Sequence, residues 1–246
     1  SITTQIYDIF CKISLFKRKL MEYNKLEYYL SQPRLNRFLL ASGSSKTKVQ
    51  KLYRANLRVA QSFYPVLNLF EIFLRNICNY QVSTHFANPN WIITEKNGFM
   101  SDYSLSKSGF FLKNSIISSE KTIRKKGGLV TAGKVVAEQS FGFWTSLFDP
   151  HHYRLIGGIV IHSFKNKPAG INRSAISQKL NRIREFRNRV YHNEPICFNG
   201  NTIDLTYAEN IKNEIYEMLN WIDADLTDYV EYFDAIDNKI NIAKKI

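Results

Sequence analysis

Apolar side chains recur at every third or fourth position over most of this chain, and this spacing constrains its fold more than any other feature. Side chains spaced in this way lie on one side of an α-helix and cover a core. Alternation of apolar and polar residues, which predicts strands, is rare, and the best hairpin signal is Asn199-Gly200 between two short apolar runs. We therefore predict an all-α fold. In the central segment the buried positions are expected to be Phe63, Val66, Phe70, Phe73 and Ile77.

Prolines and glycines divide the helical pattern into segments. Pro65 lies inside the longest segment and is expected to kink or divide it. Residues 87–115 are interrupted by glycine and serine and are expected to form a loop with short helical pieces. No linker or repeat is evident, so residues 22–236 are predicted to form one compact unit. The main predicted helices span about 22–31, 33–42, 45–86, 173–191 and 207–233, the last of which is acidic.

The composition describes a folded globular protein. Of the 246 residues, 44% are hydrophobic and 22% are charged, which is enough to build a core and too apolar for a disordered chain. The cysteines Cys11, Cys78 and Cys197 are far apart and form no CxxC pair, so we expect neither a disulfide framework nor a zinc site, and we predict a cytoplasmic protein. No run of about 18 apolar residues is present, so no membrane partner is expected.

Residues 1–20 are an N-terminal extension of uncertain status. The basic triplet Lys17-Arg18-Lys19 follows an apolar run, whereas in a signal peptide the basic residues come first. Two interpretations stay open. Either Met21 is the natural start and the preceding residues are an addition, or residues 5–19 form an amphipathic helix.

The net charge of +13 is distributed unevenly along the chain. Residues 204–246 contain 10 of the 21 acids but only 4 of the 34 bases, which leaves 30 bases against 11 acids on residues 1–203. A basic surface attracts nucleic acid by neutralising phosphates, although soluble proteins of other kinds carry the same excess. The charge is therefore compatible with a nucleic-acid partner without identifying one.

An arginine stands at a predicted core position in the helix over residues 173–192. The buried stripe of this helix includes Ile183 and Val190, and the residue that continues the series between them is Arg187. Because a guanidinium keeps its proton, burying it costs several kcal/mol unless an acceptor meets it. We therefore expect a carboxylate partner or a phosphate-like ligand near Arg187. The stripe begins with Ile176 and Leu180.

A histidine ends the same helix. His192 lies just before Pro195, and the helix dipole there favours the imidazolium form. Asn188 shares a face with His192, whereas Arg187 lies about 140° around an ideal helix from it. The arginine and the histidine converge only if the last turn unwinds, or if two chains contribute across a symmetric dimer interface. We favour the dimer.

These residue types are sufficient for cleaving RNA. RNA carries its own nucleophile in the 2′-OH, so cleavage requires proton transfer and positive charge on the phosphorane. His192 is suited to move protons near neutral pH, Arg187 to hold two phosphate oxygens, and Asn188 to orient either group. Neither a metal nor a cofactor is required.

The predicted helix also carries a cationic tract that suits a polyanion, although a solvated face would look the same. Only Glu185 opposes it. Within the tract Arg182, Arg184 and Arg189 are candidate RNA-binding residues, as is the neighbouring Tyr191. The bases of the tract are Arg173, Lys179, Arg182, Arg184, Arg187 and Arg189.

Two segments of this sequence, one short and one long, resemble known protein families. The six residues from Arg187 to His192 are similar to the Arg-x(4–6)-His motif of HEPN ribonucleases, including its small polar residue directly after the arginine. Over about residues 22–225 the chain resembles the bacterial Abi-like abortive-infection family. The segments that carry this resemblance are Leu52-Tyr53-Arg54-Ala55-Asn56, Asn68 to Asn76, Ser140-Phe141-Gly142-Phe143-Trp144 and Arg187 to Pro195.

The resemblance implies an all-helical HEPN bundle with additional helices. It further implies a homodimer with a composite active site, in which Arg187, Asn188 and His192 are catalytic. The implied activity is that of a ribonuclease toxin directed against phage infection, held in check by an RNA or protein antitoxin. One departure is Tyr191-His192-Asn193, where the family tends to have Ala-His-His.

A polar line on the central helix is a second candidate. Glu71 and Arg75 are four residues apart in apolar surroundings, and Asn76 follows directly. Such a pair forms an internal salt bridge, or Glu71 supplies the acceptor that Arg187 needs. Asn68 and Asn79 extend the same line.

Several features have interpretations other than RNA cleavage. The cluster Phe141 to Trp144 is interpreted as core packing in preference to base stacking. His151 and His152 are adjacent and diverge, so they are a poor metal site. The rivals to a ribonuclease are a non-catalytic RNA-binding module and a HEPN toxin regulated by nucleotidyl modification, for which the Tyr191 hydroxyl is the candidate acceptor.

Overall fold

The computed structural model describes residues 20–246. The two interpretations of the N-terminal extension therefore concern residues that, apart from Leu20, lie outside the described part of the chain. Helices dominate the described residues, and the only paired strands among them form a two-stranded hairpin, so the all-α prediction is confirmed.

The helices, in chain order, have the following bounds. They are α1 (Tyr23–Leu30), α2 (Gln32–Ala41), α3 (Lys46–His85), α4 (Trp91–Thr94), α5 (Phe111–Lys125), α6 (Ala132–Glu138), α7 (Phe141–Ser146), α8 (Pro150–Leu155), α9 (Arg173–Tyr191), α10 (Thr206–Ile222), α11 (Asp225–Glu231) and α12 (Ile236–Ala243). Short 3-10 helices span Phe99–Ser101, Tyr103–Ser108 and Ile159–Ser163. The hairpin pairs β1 (Phe198–Asn199) with β2 (Thr202–Ile203) in antiparallel register around the predicted turn.

Helix α3 is the longest element and begins at a side-chain cap. The Ser45 hydroxyl accepts a hydrogen bond from the Lys48 backbone N–H at 3.4 Å. Pro65 lies inside α3 without dividing it, so of the two expected effects the division is excluded. A proline in a helix leaves the carbonyl four residues earlier without its partner. Here that carbonyl belongs to Gln61, an exposed position where water can satisfy it.

The buried face of α3 follows the predicted spacing over its central part and then drifts. Phe63 and Phe70 are fully buried, as predicted. Beyond Phe70 the core positions are Leu74 and Cys78, whereas the predicted Phe73 and Ile77 are only half-buried. The prediction was wrong there because neighbouring positions on an apolar helix compete, and the packed partners decide which of them points inward.

The acidic C-terminal segment forms two helices in place of one. Helix α10 ends at Ile222, and α11 begins after an extended Asp223, whose carboxylate accepts from the Asp225 backbone N–H at 3.2 Å. The same carboxylate pairs with Lys165 at 2.6 Å. The core continues past residue 236, since α12 buries Ile240 against α3.

The core stripe of α9 contains a phenylalanine where the sequence pattern suggested an arginine. Ile183 and Val190 are buried as predicted, and the residue that joins them is Phe186. Its ring packs edge-on against that of Phe63, with centroids 4.7 Å apart. Steps of three and four from Ile183 to Val190 permit either position 186 or 187, and the larger apolar side chain takes the core.

Two further observations concern the described residues as a whole. None of their helices combines the length and apolar character needed to cross a bilayer. Cys78 and Cys197 are free and buried, and burial raises the pKa of each thiol to about 12. Neither therefore supplies a reactive thiolate.

Replacing Phe186 by alanine is expected to lower the free energy of unfolding by about 3–5 kcal/mol, because it leaves a cavity beside Phe63. Urea denaturation measures the change. The exposed neighbour Glu185 is the matched control, and Glu185→Ala is expected to stay within about 0.5 kcal/mol of the wild type. Equal losses in the two variants would contradict the assignment of Phe186 to the core.

Candidate functional site

Helix α9 is held firmly at its start and along its length. The Asn172 side chain caps it by accepting from the Ala175 backbone N–H at 3.0 Å. The helix then packs against α3, α7 and α10. Its C-terminal residues, which carry the predicted site, are thereby placed beside the middle of α3.

Arg187 meets the carboxylate that the sequence led us to expect. Its Nη2 lies 3.3 Å from Oε2 of Glu71 on α3. The Arg187 side chain is 26% exposed, so it lies at the margin of the core and not in its centre. Glu71 is therefore the acceptor for Arg187, and no ion pair joins Glu71 to Arg75 within residues 20–246. This pairing is also what a purely structural arginine would make.

The Arg187 guanidinium is fixed on two further sides. Its central carbon lies 4.1 Å from the centroid of the Tyr191 ring, one turn later on α9. Its Nη1 approaches the Asn188 side-chain oxygen at 3.5 Å. The Nε is buried and has no hydrogen-bond partner among the described residues. Arg187 thus keeps donor capacity that Glu71 does not use.

Tyr191 links Arg187 to the surface of α3. Its ring is tilted against that of Tyr64 on α3, with centroids 4.9 Å apart. Burial raises the pKa of Tyr191 above its ordinary value, and Arg187 opposes that shift. The phenol therefore stays protonated at neutral pH.

His192 lies at the C-terminal cap of α9 and is exposed. Its backbone N–H donates to the Asn188 carbonyl at 2.9 Å, so the helical hydrogen-bond pattern continues to this residue. The last turn therefore does not unwind. Of the two ways in which Arg187 and His192 were expected to converge, the structure removes the one within a single chain.

The turn that follows His192 is anchored from three sides. Arg34 of α2 donates to the Asn193 carbonyl at 3.0 Å, and Arg189 donates to the Pro195 carbonyl. The buried Asn56 of α3 accepts from the Ile196 backbone N–H at 2.8 Å. His192 is thus presented at the end of a fixed helix by a fixed turn.

Much of the cationic tract on α9 is engaged within the molecule. The Arg182 Nε donates to both carboxylate oxygens of Glu214, at 2.9 and 3.1 Å. Lys179 pairs with Glu217 at 2.6 Å. The acids of α10 therefore neutralise two bases of a tract that, from the sequence, only Glu185 opposed. Arg173 donates to the Phe148 carbonyl at 2.8 Å, which removes another base from the surface.

The other predicted RNA-binding or supporting residues lie around this centre. Arg184 is half-buried beside Gly142 and acts electrostatically on Asp149. Arg75 donates to the Asn76 side chain at 3.2 Å, so these two residues contact each other and not Arg187. The structure brings Glu71 and Tyr191 to Arg187, and it places Arg182 and Arg189 against other partners.

The aromatic cluster and the adjacent histidines have structural surroundings. Phe143 and Trp144 are completely buried, which confirms core packing for that cluster. His151 is exposed, whereas His152 is buried and donates from Nδ1 to the Ser146 carbonyl at 2.9 Å. Within residues 20–246 no three potential ligands from His, Cys, Asp and Glu are grouped closely enough to hold a metal ion.

Sequence reasoning missed an open groove beside Arg187. Its volume is about 370 Å³. The steps of three and four that connect Tyr64 to Asn68 and Glu71 were a usable signal for the α3 side. No sequence pattern indicated Phe233, because it reaches the groove from a distant part of the chain. The groove is lined by Tyr64, Pro65, Asn68, Leu69, Tyr191 and Phe233.

Comparisons with protein-family models, with curated proteins and with solved structures find no match for this chain. The resemblance to HEPN ribonucleases and to the Abi-like family therefore stays a prediction, supported only by the residues that suggested it.

Glu71→Gln is expected to lower the free energy of unfolding by about 1–3 kcal/mol, because Arg187 loses its charged acceptor in a half-buried position. Chemical denaturation of Glu71→Gln, Arg187→Gln and the double variant measures their coupling, expected at about 0.5–3 kcal/mol. Arg75→Gln, on the same helix, serves as the control without such coupling. Strict additivity of the two losses would contradict the importance of the pair.

His152 is expected to make stability fall in mild acid. Burial lowers the pKa of His152, and the free Nε2 that would take the proton has no acceptor among the described residues. Below a pH of about 6.5 the unfolded chain therefore binds a proton at this histidine, whereas the folded protein binds it only at a lower pH. His152→Asn keeps a donor for the Ser146 carbonyl but has no group that titrates in this range. The free energy of unfolding of the variant, relative to the wild type, should therefore rise as the pH falls from 7.5 to 5.5. A constant difference over that range would contradict this assignment.

Proposed function

We propose that this protein is a metal-independent endoribonuclease whose active site is completed by a second copy of the chain. The observation that carries the proposal is the Arg187 arrangement. A cation held by Glu71 and Tyr191, with an unused donor, lies five residues before an exposed His192 at a helix end. Positioned cations and an accessible imidazole are the groups that phosphodiester cleavage by a 2′-OH requires.

In the proposed reaction the 2′-oxygen attacks the adjacent phosphorus while His192 accepts the 2′-OH proton. The bond from phosphorus to the 5′-oxygen breaks, and the imidazolium returns the proton to that oxygen. The products are a 2′,3′-cyclic phosphate and a 5′-OH, with no net gain or loss of protons. Arg187 stabilises the charge on the nonbridging oxygens, and Asn188 orients the arginine.

The second chain is part of the proposal for a geometric reason. Helix α9 remains helical up to His192, so positions 187 and 192 lie about 140° apart around the helix axis. A two-fold axis near the end of α9 would bring Arg187 of one protomer to His192 of the other. A homodimer with a composite site is therefore the form in which we expect activity.

The biological role we propose is that of a toxin in antiviral defence, restrained by an RNA or protein antitoxin and acting in the cytoplasm. This part rests on the resemblance to the Abi-like family alone. Regulation by nucleotidyl modification at Tyr191 is less well supported, because its ring is enclosed by Arg187 and Tyr64.

Purified protein incubated with labelled RNA in EDTA is expected to cleave it, and both His192→Ala and Arg187→Ala are expected to lower the rate at least about 100-fold. The exposed His151 provides the matched control, since His151→Ala should cleave at the wild-type rate. Binding without cleavage under all conditions would support a non-catalytic RNA-binding module and exclude the proposal.

Mixing the two inactive variants tests the composite site. In a mixture of Arg187→Ala and His192→Ala protomers that exchange freely, half of the dimers contain both variants, and one of their two sites is intact. About a quarter of the wild-type activity should therefore return. A mixture that stays inactive after subunit exchange, or a fully active monomer, would contradict a shared site.

A further inference from the structure

The N-terminal half of α3 carries an exposed basic stripe, which we define as Lys51 and Arg58. The two residues are about two helical turns apart and therefore lie on one side of the helix. Helix α3 contains six bases and one acid, and that acid, Glu71, is paired with Arg187. Helix α3 itself thus carries no second carboxylate.

The basic stripe leads directly to the groove beside Arg187. Steps of three and four lead from Arg58 through Gln61, which accepts from Arg58 at 3.0 Å, to Tyr64 and Asn68 in the groove wall. Arg58 precedes Tyr64 by about 9 Å along the helix axis at a rise of about 1.5 Å per residue. A polymer lying along α3 would therefore reach the basic stripe and the groove together.

The groove presents aromatic faces that the fold does not cover. Tyr64 is 38% exposed and Phe233 is 43% exposed. Tyr229 and Tyr232 lie beside Phe233, with ring centroids 5.9 and 5.0 Å from its own, and both are exposed. A volume of about 370 Å³ is at the lower end of the range of about 300–1,000 Å³ that small-ligand sites occupy.

The charges around the groove are unequal on its two sides. The α3 side carries the basic stripe, whereas the Phe233 side follows α11, where Asp228 and Glu231 are exposed. Phosphates would be attracted to the first side and repelled from the second. A nucleic-acid strand would accordingly lie with its backbone along α3 and a base turned towards Phe233.

We propose that this groove binds an unpaired base of single-stranded RNA, whose phosphates contact the basic stripe of α3. The inference rests on the proposed ribonuclease function and adds the substrate class. Bases in a duplex have both faces stacked, so only an unpaired base can lie against Tyr64 and Phe233. The bound base would place the adjoining phosphodiester near Arg187, one helical turn from Tyr191.

The test uses binding of 2′-O-methyl oligouridine, which lacks the nucleophile and cannot be cleaved, to the full-length protein. Tyr64→Ala is expected to raise the Kd at least about fivefold, because a stacking surface is lost. Tyr64→Phe keeps the ring and should bind like the wild type. So should Tyr80→Ala, which removes another exposed tyrosine from the same helix.

The basic stripe is tested by the dependence of binding on salt. Arg58→Ala is expected to reduce the slope of log Kd against log salt concentration by about 0.7, the value for one phosphate contact on a single strand. Lys107→Ala removes an exposed lysine from the 3-10 helix Tyr103–Ser108 and should leave the slope unchanged. Equal slopes in both variants would overturn the assignment of the stripe to phosphates.

Three further results would overturn the inference. The first is a Kd that Tyr64→Ala does not change, and the second is a Tyr64-dependent preference for duplex RNA. The third is sedimentation showing that Tyr64→Ala turns a dimer into monomers, because the groove would then be a subunit interface. Because the probe cannot react, the two proposals fail separately. Tyr64-dependent binding without any cleavage of natural RNA would overturn only the ribonuclease, whereas cleavage with Tyr64-independent binding would overturn only this groove.

Discussion

The packing of α9 against α3 is the constraint on which the rest of the structure depends. Phe186 and Phe63 meet at its centre, fully buried and edge to face. Because this contact fixes the rotation of α9, the residue directly after Phe186 emerges at the margin of the core beside α3. The Arg187–Glu71 pair is therefore a consequence of apolar packing.

The turn after α9 is fixed by polar contacts with α2 and α3. Asn56 of α3 accepts from Ile196, and Arg34 of α2 donates to Asn193, so the turn after α9 cannot swing away. His192 is consequently presented on a rigid support while its own side chain stays exposed. Rigid placement of the exposed imidazole is compatible with the proposed site, in which a second molecule meets it.

Charge is arranged differently on α9 and α3. Two cations of α9, Lys179 and Arg182, are paired with acids of α10, and they stabilise the contact between these helices. The basic stripe of α3 has no acid on its own helix except Glu71, which is already engaged. Tyr64 links this stripe to Tyr191 and hence to Arg187. The surface of α3 is therefore the better candidate for contact with a polyanion.

The sequence by itself determined the helical class, the main helices and the residues of the candidate centre, because periodicity and caps are local properties. It also indicated that Arg187 needs an acceptor and that Glu71 is one candidate. Only the tertiary structure decided that Phe186, and not Arg187, enters the core, since adjacent positions on a helix satisfy the same period. It alone joined Phe233 to Tyr64 in one groove, because contacts between distant segments leave no periodic signal in either segment.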